Sequence, residues 1–403
     1  MSNKGKVPLV PKLRFPEFRD AANWESRRLG EACHMQAGKF VSAAEIREKN
    51  APGLFPCYGG NGLRGYTSTF THSGKYSLIG RQGALCGNVK QGIGQFHATE
   101  HAIVVTPKSG VKSDWLFFVL DLMNLNRFAS GQAQPGLSVD VLEKLPIAVT
   151  SDEAEQNKIA DCLSSLDELI TAQARKVDAL KTHKKGLMQQ LFPREGETQQ
   201  RLRFSEFQSA GVWEEQSVGE FGKVVTGNTP STAQATFYGG DIPFVSPADI
   251  SDLRFVDLTK TTLTPGGFAE TRPIRAQSVL FVCIGSTIGK VAQNVHDCAT
   301  NQQINAVIPN SKHSDDFVYF ALSHASERIA LLAGRQAVPI INKSLFCSVQ
   351  ILVPKIAEQK RVGLCLSRLD ELITLEAEKL ESLNTHKKGL MQQIFPLPGQ
   401  VEE

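Results

Sequence analysis

One segment of this chain occurs twice. Residues 155–193 read EQNKIADCLSSLDELITAQARKVDALKTHKKGLMQQLFP, and residues 358–396 read EQKRVGLCLSRLDELITLEAEKLESLNTHKKGLMQQIFP, an offset of 203. Apolar residues recur at alternating spacings of four and three: Ile159, Leu163, Leu166, Ile170, Val177, Leu180, Leu187 and Leu191 in the first copy. Val362, Leu366, Leu369, Ile373, Leu380, Leu383, Leu390 and Ile394 repeat the row in the second. This spacing predicts two long helices, each with a narrow apolar seam suited to a coiled coil. Gln173 and Lys184 interrupt one seam, and Glu376 and Lys387 the other. Polar residues at seam positions cost stability but fix register and partner, so matching interruptions imply helices made for each other. At about 1.5 Å per residue each would run roughly 50 Å or more, a spacer between two bodies.

The repeat extends beyond the helices. PKLRFPEFRDAANWESRRLGEAC (11–33) returns as QRLRFSEFQSAGVWEEQSVGEFG (200–222), with Trp24 matching Trp213 at an offset of 189. GALCGNV (83–89) aligns with GSTIGKV (285–291) at an offset of 202, so the second copy carries about a dozen extra residues between these anchors. Each half then predicts a strand into a glycine turn (Tyr76 to Gly80; Val279 to Ile284) and a second strand (Ala102 to Val105; Ala306 to Ile308). A short helix near Asp114 or Asp316 follows, then a last strand (Leu145 to Val149; Ser348 to Val353) leading into the long helix. The expected domains are an N-terminal arm at 1–23, a first lobe at 24–150 and a first long helix at 151–193. An arm repeat with the second lobe occupies 194–354, the second long helix 355–396, and a tail 397–403. The fold class is α+β, with two mixed α/β lobes held apart by two antiparallel helices and an approximate internal two-fold. That symmetry suits double-stranded DNA, each lobe reading one half of a split, asymmetric site.

Composition excludes several classes. With 403 residues, 41% hydrophobic and 21% charged, the chain buries real cores. Met1 to Phe15 has no signal-peptide core and no apolar run is long enough for a bilayer, so a cytoplasmic chain without membrane contact is expected. Eight cysteines form no Cys-x-x-Cys pair and nine histidines no metal spacing, so no metal site is expected. Residues 1–150 hold 18 basic and 11 acidic residues, a balance of +7 within a total of only +3, too weak overall for a self-sufficient nucleic-acid binder. GSTIGKV is one residue short of a phosphate loop and has Val291 at the magnesium-binding position. Hydrolase, zinc-protease and methyltransferase motifs are absent from the sequence, so no catalytic residue is assigned.

Base edges are read by Arg or Lys on guanine and by Asn or Gln on adenine. Turn-rich stretches of the first lobe offer Asn61, Arg64, Arg81, Gln82 and Lys90. The second lobe offers Asn228, Lys290, Asn301, Gln302, Gln303, Arg335 and Gln336. All of these residue types also serve as turns, caps or surface polar groups, so the set carries the reading rather than any member.

The doubled EQ-start helix with its HKKGLMQQ ending, together with YGGNGLRGY (58–66), TGNTPSTAQATFYGGDIPFVSPADI (226–250) and GRQGALCG (80–87), resembles the specificity (S) subunit of type I restriction-modification enzymes. The resemblance covers nearly the whole chain. It implies two target recognition domains reading a bipartite DNA sequence, and an antiparallel coiled coil that sets the gap and docks two modification (M) subunits. S-adenosylmethionine, ATP and magnesium would belong to partner subunits, including two restriction (R) subunits where the system cuts, with no cofactor in this chain. A specificity module of another methylation-based defence or single-chain restriction system would share the recognition chemistry. A protein-binding coiled-coil scaffold would share the seams but has no use for two divergent polar lobes.

Overall fold

The structure, a computed structural model, describes residues 9–131, 135–334 and 338–396. They form two compact units, Met1–Gln173 with Lys379–Glu403, and Ala174–Glu378. The boundary cuts across both long helices, Glu153–Leu191 and Ile356–Ile394, so each unit owns the start of one helix and the end of the other.

In the first unit β1 (Glu25–Arg28) pairs antiparallel with β8 (Pro146–Val149). A six-stranded sheet carries β2 (Cys33–Ala37), β3 (Phe55–Gly59), β4 (Gly62–Thr67), β5 (His72–Gly80), β6 (Val89–Ala98) and β7 (Ala102–Pro107), in the order β2-β7-β5-β6-β3-β4. The helix Ser113–Leu122 buries Trp115, Leu116, Phe118, Val119 and Leu120 against it. In the second unit β9 (Glu214–Ser217) pairs with β18 (Gln350–Val353) as β1 does with β8. The five-stranded sheet runs β10 (Gly222–Thr226), β17 (Ile304–Pro309), β14 (Val279–Val282), β15 (Val291–Asn294), β12 (Phe255–Val256). β11 (Tyr238–Val245), β13 (Thr261–Leu263) and β16 (Ala299–Thr300) make a smaller sheet. The expected strands are all present. The helix predicted near Asp316 spans Asp315–Leu331, 17 residues rather than a short helix, and Ser348 closes the helix Lys343–Ser348 instead of opening a strand. The longer helix is stabilised by the buried row Phe317, Phe320, Ala321, Ala325 and Ile329, which continues for roughly three turns.

Each lobe is fastened to a helix start by the same joint. Glu155 is 1% exposed and accepts hydrogen bonds from Arg14 Nε (2.7 Å) and Nη2 (2.8 Å), from the Trp24 indole (3.2 Å) and from Thr150 Oγ1 (2.8 Å). Glu358 accepts from Arg203 Nε (2.9 Å) and Nη2 (2.7 Å), from the Trp213 indole (3.2 Å) and from Gln200 (3.1 Å). The neighbouring amides complete it. Gln156 accepts from Lys112 N (2.7 Å) and donates to the carbonyls of Gly110 and Thr150; Gln359 accepts from Ser314 N (3.0 Å) and donates to those of Lys312 and Pro354. A buried charge is tolerable only when paired and fully hydrogen-bonded, which explains why the pair EQ opens both helices.

The helix ends lie antiparallel to the starts within each unit. In the first, Lys387 bonds Asp167 at 2.6 Å and Met391, Ile394 and Phe395 join Ile159, Ala160 and Leu163 in one core. In the second, Lys184 bonds Asp370, Lys176 bonds Glu376, and Leu191 and Phe192 join Val362 and Leu366. The interrupting lysines and Glu376 therefore carry cross-helix ion pairs that hold the register, with lysine and aspartate exchanging helices between the units. Leu13 N donates to Gln393 O (3.0 Å), and Leu202 N to Gln190 O (2.9 Å), fixing each arm to the helix end beside it. The result is an aromatic triad in each core. Trp24, Trp115 and Phe395 have centroids 5.9 to 6.2 Å apart, and Trp213, Phe317 and Phe192 5.6 to 5.8 Å.

Candidate nucleic-acid interface

The glycine turns after β5 and β14 share one backbone pattern. Gly87 N donates to Gly80 O and Gly80 N to Asn88 O; Gly289 N donates to Val282 O and Val282 N to Lys290 O. Gly83 and Gly285 (φ +89° and +98°) and Gly87 and Gly289 (φ +87° and +93°) adopt the left-handed conformation that closing these turns requires. GSTIGKV is thus the counterpart of GALCGNV, a turn between antiparallel strands.

In the first lobe the β3–β4 hairpin tip lies directly on the end of β5. A Cβ on Gly80 would stand 2.1 Å from Gly60 O, so only glycine permits this contact. The approach opens a groove of about 510 Å³ lined by Asn61, Leu63, Arg64, Gln82, Leu85 and His101. Three of the sequence candidates, Asn61, Arg64 and Gln82, are therefore brought together with exposed side chains. Lys90 passes beside Gly62, its Cγ 3.4 Å from where a Cβ would be. Arg81 is half-buried and donates to Glu100 O at 3.4 Å. Lys39 and Phe40, which sequence reasoning missed, reach the same end of the sheet. Lys39 N donates to Ala98 O (2.8 Å), and Phe40 is 76% exposed. The only sequence signal was Gly38, which matches Gly227 at the arm offset of 189 and cannot carry a Cβ without meeting Ala98 O at 2.2 Å.

In the second lobe the candidates are tied to their own chain. Asn228 donates to Glu270 O (2.9 Å) and accepts from Arg272 N (3.1 Å). Lys290 Nζ donates to Ile250 O (2.8 Å). Asn301 donates to the Gln303 side chain (3.0 Å) and accepts from Gln303 N (3.1 Å), and Gln302 accepts from Thr229 Oγ1 (2.9 Å) while staying exposed. Arg335 and Gln336 lie outside the described residues. Such bonds fix loop shape and leave Gln302 the most exposed of the described group.

Burial pushes the thiols of Cys33, Cys283 and Cys298 up to about 12, so they stay protonated and unreactive. The described residues contain no group of three or more His, Cys, Asp or Glu placed to hold a metal, and no helix long and apolar enough to cross a membrane.

The chain thus carries two loop-ended lobes on a repeated helix joint, with Asn61, Arg64 and Gln82 gathered at one loop end of the first. The type I restriction modification DNA specificity domain matches residues 21–182 and 211–385, and the chain belongs to that family. It is 48% identical to the EcoprrI type I restriction enzyme specificity subunit of Escherichia coli over 39% of this chain and 39% of that one. It is 32% identical to the HindI specificity subunit of Haemophilus influenzae over 35% and 32%. The aligned part thus spans well under half of each relative. The fold matches the crystal structure of a type I restriction-modification S subunit from M. genitalium with TM-score 0.66 and 18% identity, covering 96% of this chain and 99% of that one.

Proposed function

We propose that this chain is the DNA-recognition subunit of a type I restriction-modification complex. Each lobe reads one half of a bipartite, asymmetric site; the paired helices set the gap and dock two methyltransferase subunits. S-adenosylmethionine, ATP and magnesium act on partner subunits, including two restriction subunits where the complex cuts, and the assembly works in the cytoplasm. The observation that carries this reading is the contrast between like joints and unlike loop ends. The Arg-Glu-Trp node is repeated with the same donors, whereas the first lobe presents Asn61, Arg64 and Gln82 where the second has a loop of different length and chemistry. Different sequences are to be read from equivalent positions. Leu169 and Leu372, at an offset of 203, remain 49% and 40% exposed on the two helices and offer like surfaces to two like partners. Purified chain with S-adenosylmethionine is expected to methylate nothing, and to support sequence-specific methylation once the methyltransferase subunit is added. Robust methylation by the chain alone would sink the proposal.

A further inference from the structure

The second lobe poses an electrostatic problem. Residues 194–354 hold 13 basic and 15 acidic residues, a balance of −2, yet the proposed ligand is a polyanion. Several of its cations are spent internally: Arg203 on Glu358, Arg254 on Asp316, Arg275 on Asp315, and Lys290 on a backbone carbonyl. Like Arg194, Lys260 and Lys312, three others form no ion pair with a described residue: Lys223, Arg272 and Lys343. All three are exposed and line a single groove of about 470 Å³ along β10, the edge strand of the five-stranded sheet. Its other walls are Val224 to Thr226, Thr271 and Pro273, with no carboxylate among the described residues that line it.

The groove is built rather than incidental. Arg272 Nη1 donates to Thr226 O (2.8 Å), which aims the guanidinium and leaves its other N–H groups for a ligand. Asn228 braces the same wall through Glu270 O and Arg272 N. β10 runs from the groove into Gly227–Thr229, and Thr229 bonds Gln302 at the loop end that holds the base-reading candidates. In the first lobe His34 stands at the position of Lys223 and Val139 at that of Lys343, and residue 272 falls in the stretch over which the second copy gains about a dozen residues.

Resting on the functional reading above, we infer that Lys223, Arg272 and Lys343 form a phosphate-binding groove that grips the DNA backbone beside the second half-site. Phosphate contacts position a reader without specifying sequence, and each one made releases counterions and steepens the dependence of affinity on salt. The groove thereby lets a lobe of net negative charge hold DNA that the basic first lobe attracts by its overall field.

The test compares the full chain with K223Q/K343Q, both with the methyltransferase subunit, in equilibrium binding to duplexes carrying the recognised site over a range of salt. Both lysines are exposed, so the variant is expected to fold, and its melting curve checks this. The log–log salt slope should become shallower by about two, with cognate and non-cognate duplexes weakened alike and the recognised sequence unchanged. Phosphate-ethylation interference should vanish beside the second half-site only. An unchanged slope in the folded variant overturns the inference while leaving the functional reading intact. So does loss of methyltransferase binding with the slope retained, which would make the groove a protein dock. A parental complex that binds no duplex overturns both.

Discussion

Arg14 holds the carboxylate of Glu155 through Nε and Nη2 at 2.7 and 2.8 Å, across 141 residues of sequence. The guanidinium also donates to the carbonyls of Ala21 and Ala22, so one side chain ties arm, lobe and helix together. The carboxylate raises the Arg14 pKa above its ordinary value, chiefly through this hydrogen bond, so the guanidinium stays charged. Arg14→Ala leaves a buried, unpaired charge and should destabilise the first unit by about 3–5 kcal/mol. Arg203→Ala should do the same to the second. Arg14→Met with Glu155→Leu should recover part of the loss, measured by denaturant unfolding of the full chain.

Phe395 belongs to the second repeat by sequence but completes the triad of the first lobe, and Phe192 does the reverse. Both are almost fully buried, so each change to alanine should cost about 3–5 kcal/mol. The telling readout is location. Hydrogen exchange should rise around Trp24 and Trp115 in Phe395→Ala, and around Trp213 and Phe317 in Phe192→Ala.

Acid should weaken the second unit through two of its histidines. Burial lowers the pKa of His313, between Asn310 and Gln216, and of His324, stacked 5.2 Å from Phe192. A folded pKa below the unfolded value of about 6.5 means the unfolded chain binds protons more readily, so stability is full above that pH and falls as pH drops through it. Unfolding free energy measured from pH 7.5 to 5 should fall, and His324→Gln should flatten the curve. An equal slope in the variant would mean His324 contributes nothing.

Much of this architecture was legible because repetition carries it. The helix seams, the Trp24/Trp213 match and the paired glycine turns follow from offsets in the sequence alone. The exchange of Phe192 and Phe395 was not legible, since a contact between residues hundreds apart leaves no local periodicity. Nor was the fate of the polar candidates: Asn61 and Asn228 look alike in a turn-rich stretch, yet one lines an open groove and the other spends both ends of its amide on backbone. Satisfaction of a polar group depends on what the fold brings next to it.

If the helices measure the gap, one heptad inserted after Ala179 and another after Ser382 keeps both seams in phase while lengthening the spacer by roughly 10 Å, or about three base pairs. The preferred gap should grow accordingly while the half-site sequences stay the same. Binding should weaken, because three extra pairs also rotate one half-site by about 100° and twisting the DNA back costs of order a few kcal/mol. The deciding measurement is affinity across duplexes that differ only in gap. An unchanged optimum in a folded complex would show that the spacing is set elsewhere.

The claim that each lobe reads its own half is tested most directly by replacing residues 35–140 with the same lobe of a relative and sequencing the methylated sites made with the methyltransferase subunit. One half of the recognised sequence should change, while the other half and the gap stay as they were. A change in both halves together would contradict independent reading.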